Sequence, residues 1–252
     1  MFESIKRWIS AEPIDPQWEG VADWAKEHGH AFKRAKDSQG FIIDGVFGES
    51  PWRLEWGPPQ RAYITTQELR IRMELHLPAD LQMLLLSRPL TEMLEGETFE
   101  RYTQGTQTQI DVATPEEMRW LAMFSKSTQG LPRTVRSHFE AVASNPLTAV
   151  AWIDSTMAAQ LELASQSWLI GTTPFVLITL RGRLYLRMQL DSPDPLVVAQ
   201  AVALFDTAAQ SALRVAGMGA EVIGEWPASG VSTSWQIHLE DSEPSEPNGR
   251  GS

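Results

Sequence analysis

Cysteine is absent from the 252-residue chain. That excludes disulfides, thiolate metal sites, iron–sulfur clusters and cysteine nucleophiles. Positive charge is in deficit: 21 Lys and Arg against 32 Asp and Glu leave a formal net charge of -11. A pI near 4.9 argues against a general nucleic-acid binder, which needs a net basic face to displace counterions. Long apolar runs are also missing. Met1 to Trp8 lacks the apolar stretch and cleavage site of a signal peptide. The longest charge-free stretch, Leu163 to Leu180, is broken by Ser165, Gln166, Ser167, Gly171, Thr172, Thr173 and Pro174. No membrane partner and a cytoplasmic location are therefore expected.

Catalytic motifs are missing as well. Gly217, Gly219 and Gly224 have the wrong spacing for a dinucleotide loop and follow a helical pattern rather than a strand. Gly45 and Gly48 precede no Gly-Lys-Ser/Thr, and Ser50 stands in Gly-Glu-Ser-Pro rather than a nucleophile elbow. His28 and His30 lie two residues apart, too few for zinc, and His76, His138 and His238 are scattered. Neither catalytic residues, nor a metal site, nor a cofactor is implied.

What is present is a pattern of strands and helices that is 42% hydrophobic, enough for a sizeable core. Asp15-Pro16 opens a helix expected over about 16–35. Gly40 to Gly48 reads as strand with Asp44-Gly45 as its hairpin turn, and Trp52 to Trp56 alternates. So does Glu68 to His76, with Leu69, Ile71, Met73 and Leu75 on one face. Pro78 and Asp80 are then expected to start a helix through Leu81, Leu84, Leu85, Leu90 and Leu94. Thr114-Pro115-Glu116-Glu117 signals another start, and Asn145 to about Ala164 is a further helix. Phe175 to Leu180, Arg181-Gly182 and Arg183 to Leu190 form a hairpin. A long helix runs from Pro193 to near Gly217, and Val231 to Leu239 alternates as a last strand.

At an offset of 115 residues, Leu69, Arg72, Met73, Leu75, Pro78 and Leu81 match Leu184, Arg187, Met188, Leu190, Pro193 and Leu196. The expectation is an α+β protein of two related units, mainly antiparallel sheet covered by helices on one face, with a possible internal duplication. The units are residues 1–100 and 136–239, joined by 101–135 with a short helix. Residues 240–252, with Glu240, Asp241, Glu243 and Glu246 against Arg250, read as a disordered acidic tail.

The candidate binding residues are Arg53, Trp56, Arg70, Arg72, Arg183, Tyr185 and Arg187. If helices cover the apolar side of the sheet, the arginines and Tyr185 share the other side, where guanidinium forks suit planar anions. The same residues suit a solvated face of cross-strand Arg–Glu pairs with Glu55 and Glu74. The chain has ten Trp; most sit at core positions, and Trp56 before Gly-Pro-Pro is a candidate groove wall.

Phe139 and Pro146, a helix with Ala149, Ala151 and Ala158, the Phe175 to Leu190 hairpin and a closing helix together resemble uncharacterised bacterial cytosolic proteins of unknown function. The resemblance covers about the last 80 residues of patterning. It implies a soluble cytosolic domain and transfers no site residues. The leading expectation is a non-enzymatic bacterial cytoplasmic protein that binds a protein partner or its own copy. The alternatives are a small-molecule binder using an Arg/Trp-lined face or inter-unit cleft, and an enzyme of unrecognised type.

Overall fold

Alternation at Leu69, Ile71 and Met73 puts three fully buried side chains on one face of a strand and Arg70, Arg72 and Glu74 on the other. That pattern, repeated, builds the molecule. The computed structural model describes residues 15–35, 39–103, 114–127 and 129–223. Among them are eight strands: β1 (Ala31–Arg34), β2 (Phe41–Phe47), β3 (Ser50–Gly57), β4 (Glu68–Glu74), β5 (Met83–Ser87), β6 (Phe139–Ala143), β7 (Phe175–Leu180) and β8 (Arg183–Gln189). They form one antiparallel sheet in the order β1-β2-β3-β4-β8-β7-β5-β6. Seven described helices accompany it: α1 (Glu19–Glu27), α2 (Arg88–Thr103), α3 (Glu116–Met123), α4 (Arg133–His138), α5 (Pro146–Trp152), α6 (Ser155–Ser167) and α7 (Pro195–Ile223). The class is α+β, as the patterning implies.

One face of the sheet is covered throughout. Helices α1, α4, α5, α6 and α7 bury it against Phe41, Ile43, Leu54, Ile71, Leu85, Leu177 and Leu186. The Pro195–Met218 part of α7 is long and apolar enough to cross a membrane, and half of it is buried inside the protein. Its packing is that of a core helix. The Trp152 indole N–H donates to the Ala208 carbonyl (2.9 Å), and the Ser211 hydroxyl donates to the Trp152 carbonyl (2.5 Å).

The second face is covered over one half only. Helices α2 and α3 and the segment around Tyr63 and Ile64 bury Leu84, Leu86, Val142, Val176 and Ile178 of β5, β6 and β7. Helices thus lie on both faces, not on one. This explains a helix expectation that failed. Met83 to Ser87 is a strand, buried on both sides, with Met83 and Leu85 facing one core and Leu84 and Leu86 the other. A short, continuous apolar run carries no periodicity that separates the two readings.

Other boundaries move for local reasons. Helix α1 stops at Glu27 because Gly29 takes φ +73°, and β1 follows where helix was expected. Asp15 acts before the helix, its carboxylate accepting from the Gln17 N–H (3.0 Å). The helix expected from Asn145 is two, capped by Asn145 and Asp154. Helix α7 runs through Gly217 to Ile223, so Gly217 does not end it. The Arg181-Gly182 turn forms as expected, at φ 52° and 79°. Asp44-Gly45 is no turn: β2 continues through it, and the chain reverses at Gly48-Glu49. The Val231–Leu239 strand and the acidic tail lie outside the described residues.

The duplication does not extend to structure. Strands β4 and β8 lie side by side, with Leu69 opposite Met188 and Ile71 opposite Leu186. Beyond them residues 83–87 are strand, while their counterparts 198–202 are helix. Both halves of the chain contribute to the same sheet.

Gly45 faces Trp52 across β2 and β3, and a Cβ there would lie 2.3 Å from the indole ring. Gly45→Ala is therefore expected to destabilise the fold by about 1–3 kcal/mol, the usual cost of overpacking. Urea unfolding measures it, and pairing the change with Trp52→Phe should recover part of the loss.

Candidate functional site

Over β1, β2, β3, β4 and β8 the second face has no described helix on it, and most of its side chains are charged or polar. The register fixes two rows. In the first, Ala31, Asp44, Arg53, Arg72 and Tyr185 stand directly opposite one another from strand to strand. In the second, Lys33, Ile42, Glu55, Arg70 and Arg187 do the same. Glu74 and Arg183 form a further pair beyond the first row. Six of the seven residues singled out from the sequence thus share this face. Trp56 does not. It points to the helix-covered face, 6% exposed, stacked on Phe41 (ring centroids 5.6 Å apart), with its indole N–H donating to the Leu190 carbonyl (2.8 Å). It is core, because alternation along β3 gives it the parity of Trp52 and Leu54.

Like charges directly opposite on neighbouring strands repel, and this face has two such pairs, Arg70 with Arg187 and Arg53 with Arg72. The first pair is neutralised from below. Glu68 is completely buried, and its carboxylate accepts from Arg187 Nη1 (2.6 Å), Arg70 Nη1 (3.2 Å) and the Gln60 backbone N–H (2.6 Å). Every oxygen has a donor, which a buried carboxylate requires. A second buried carboxylate, Glu117 of α3, accepts from the Tyr63 hydroxyl (3.0 Å) and Arg61 Nε (3.2 Å). Burial and then the facing Glu117 charge push the Tyr63 hydroxyl up from its ordinary value. Together the two carboxylates pin the 58–67 connection between β3 and β4.

The Arg53–Arg72 pair is treated differently. Arg53 Nε donates to Asp44 (2.7 Å), and this hydrogen bond holds the Asp44 carboxyl below its ordinary range. Lys33 shares the same carboxylate (3.0 Å). Arg72 approaches Glu55 only at 3.7 Å, and Glu55 is shared with Arg70 (3.2 Å). Arg183 is matched by Glu74, whose carboxyl it lowers in turn. Among the described residues of the face, Lys33, Arg53, Arg70, Arg72, Arg183 and Arg187 outnumber Asp44, Glu55, Glu68 and Glu74, six to four.

Arg53, Arg72 and Arg183 line an open cavity of about 820 Å³, with Asp44, Glu74, Val46 and Pro51. Val46 is exposed, so the cavity has an apolar rim beside its charges. His28 and His30 stand at its edge; His28 caps α1, and burial, then the His28 charge, lowers His30. Among the described residues no group of three or more acidic or histidine side chains is placed to hold a metal ion. The chain matches no known family model, no curated protein and no solved structure.

Sequence reasoning missed Glu68, Glu117, Lys33 and Asp44. Glu68 begins the alternating stretch on the polar parity, so its polarity was visible but its complete burial was not.

Two outcomes follow from this geometry. Glu68→Gln removes the charge shared by Arg70 and Arg187, leaving Arg70 only Glu55 and Arg187 without its ion pair, and should destabilise by about 3–5 kcal/mol in urea unfolding at pH 7. Asp44 has a folded pKa below its unfolded one, so its pairing stabilises above about pH 4 and is lost as pH falls through the lowered value. The destabilisation caused by Asp44→Asn, about 1 kcal/mol or less for so accessible a pair, should therefore be largest at neutral pH and shrink below pH ~4.

Proposed function

We propose that the protein is a non-enzymatic binding protein that takes an acidic segment of a protein partner on the uncovered half of its sheet. The observation that carries this reading is the sign of the face. A surface of six cations and four carboxylates stands out on a chain of net charge -11. Such a patch, with its cations in excess, steers acidic partners toward it. Its shape supports the same reading. The cavity at one end of its strands is wide and open, suited to an extended chain lying on the sheet rather than to a small molecule enclosed in a pocket. The wall made by α2, α3 and the Tyr63 segment, against which Tyr185 packs, gives the surface a side.

The test uses the position whose charge is least committed. Arg72 has 55% of its side chain exposed and only the 3.7 Å contact to Glu55. Arg187 is unsuitable, since Arg187→Glu would set a second carboxylate against buried Glu68. Fluorescence anisotropy at low ionic strength should show a labelled decaglutamate binding the full chain against its overall charge. Arg72→Glu should weaken that binding at least fivefold, as should raised salt. No binding by the unaltered protein, or equal binding by Arg72→Glu, overturns the proposal.

A further inference from the structure

We infer that Arg53 and Arg72 form an anchor on this face for a phosphorylated side chain of the protein partner. The inference rests on the reading of the face as a docking surface and names the group that it holds most strongly. Two clusters of charge meet there. Lys33 and Arg53 share one carboxylate, Asp44, at 3.0 and 2.7 Å. Arg70, Arg72 and Arg187 share two, Glu55 and Glu68. Each cluster carries one positive charge in excess, and their nearest members, Arg53 and Arg72, stand directly opposite on β3 and β4. The other opposed pair, Arg70 and Arg187, is bridged by Glu68. No described carboxylate bridges Arg53 and Arg72 in that way. An outside anion can.

A single carboxylate would neutralise half of the surplus. A phosphoryl group carries about -1.5 to -2 charges at pH 7 and three acceptor oxygens, which matches both guanidiniums at once. Tyr185, directly across from Arg72 on its other side, places a phenol at the end of the row. Asp44 and Glu74 also line the cavity, but each is already held by an arginine. The site is open on a broad surface, so the phosphoryl group arrives on a larger molecule rather than free, with exposed Val46 and Pro51 available to its neighbouring residues.

The experiment titrates the full chain with a capped Gly-Ala-phosphoserine-Ala-Gly peptide, its Glu analogue and inorganic phosphate, and follows the arginine Nε–H resonances by NMR. The phosphopeptide is expected to shift the Arg53 and Arg72 signals and to bind at least tenfold more tightly than either comparison. Arg72→Gln should abolish that preference, while Arg133→Gln on α4 should leave it intact; urea unfolding confirms that Arg72→Gln remains folded. Equal affinity for the Glu peptide overturns the phosphoryl assignment, and equal affinity for inorganic phosphate overturns the protein-borne source. If decaglutamate binds through Arg72 without any phosphopeptide preference, the anchor fails and the docking face stands. If neither ligand binds, both fall.

Discussion

A carboxylate with no exposed surface holds this sheet together where strand register sets two arginines against each other. Glu68 sits at the start of β4, beneath two arginines that strand register forces into opposition, and it accepts from both while also taking the Gln60 N–H. Removing an ion from water costs several kcal/mol, so the arrangement is stable only because every oxygen is occupied. Much else depends on it. The hydrogen bond to Gln60 draws the 58–67 connection down over the sheet. That places Arg61 and Tyr63 where Glu117 can receive them. Glu117 in turn fixes α3, and with α2 this helix decides where the second face is dry and where it is wet.

The boundary between those halves is what gives the molecule a surface with character. On one side of Tyr185 lie Val176, Ile178, Leu84 and Leu86 under helices. On the other lie cross-strand ion pairs open to solvent. Because acids are shared between cations rather than matched one to one, the wet half retains a positive surplus despite the acidity of the chain. Individually these surface pairs contribute little to stability. Their significance lies in the uneven sharing, which leaves Arg72 the least committed of the arginines.

Much of this was legible in the sequence, and the parts that were not share a cause. Alternation in Trp52 to Trp56, in Leu69 to Met73 and in Leu184 to Met188 assigned three strands and put Arg53, Arg70, Arg72, Arg183, Tyr185 and Arg187 on one side. Parity would also have excluded Trp56 from that company, since it shares the phase of Trp52 and Leu54. Met83 to Ser87 misled because a strand buried on both faces shows no period, and its second burial depends on how α2, which follows it directly, and α3, farther along the chain, fold back over it. The same holds for Glu68 and Glu117: polarity is local, but burial is a property of what folds over a residue. Matching positions in β4 and β8 suggested duplication, yet adjacent strands sharing one apolar face reach similar patterns by packing alone.

The strand order has a consequence for how the chain is made. The hairpin of β7 and β8 inserts between β4 and β5, although it is synthesised long after both. Until residue 189 has been made, the growing polypeptide holds two separate partial sheets, each with a raw edge beside apolar side chains. Pairings such as Leu84 with Ile178 join positions more than a third of the 252-residue chain apart, and contacts so distant in sequence make folding slow. On a ribosome adding about 5–20 residues per second, the interval between β5 and β8 lasts several seconds. During it the nascent chain presents the kind of open strand edges that other chains can pair with, and it is the stage at which chaperone assistance would matter most.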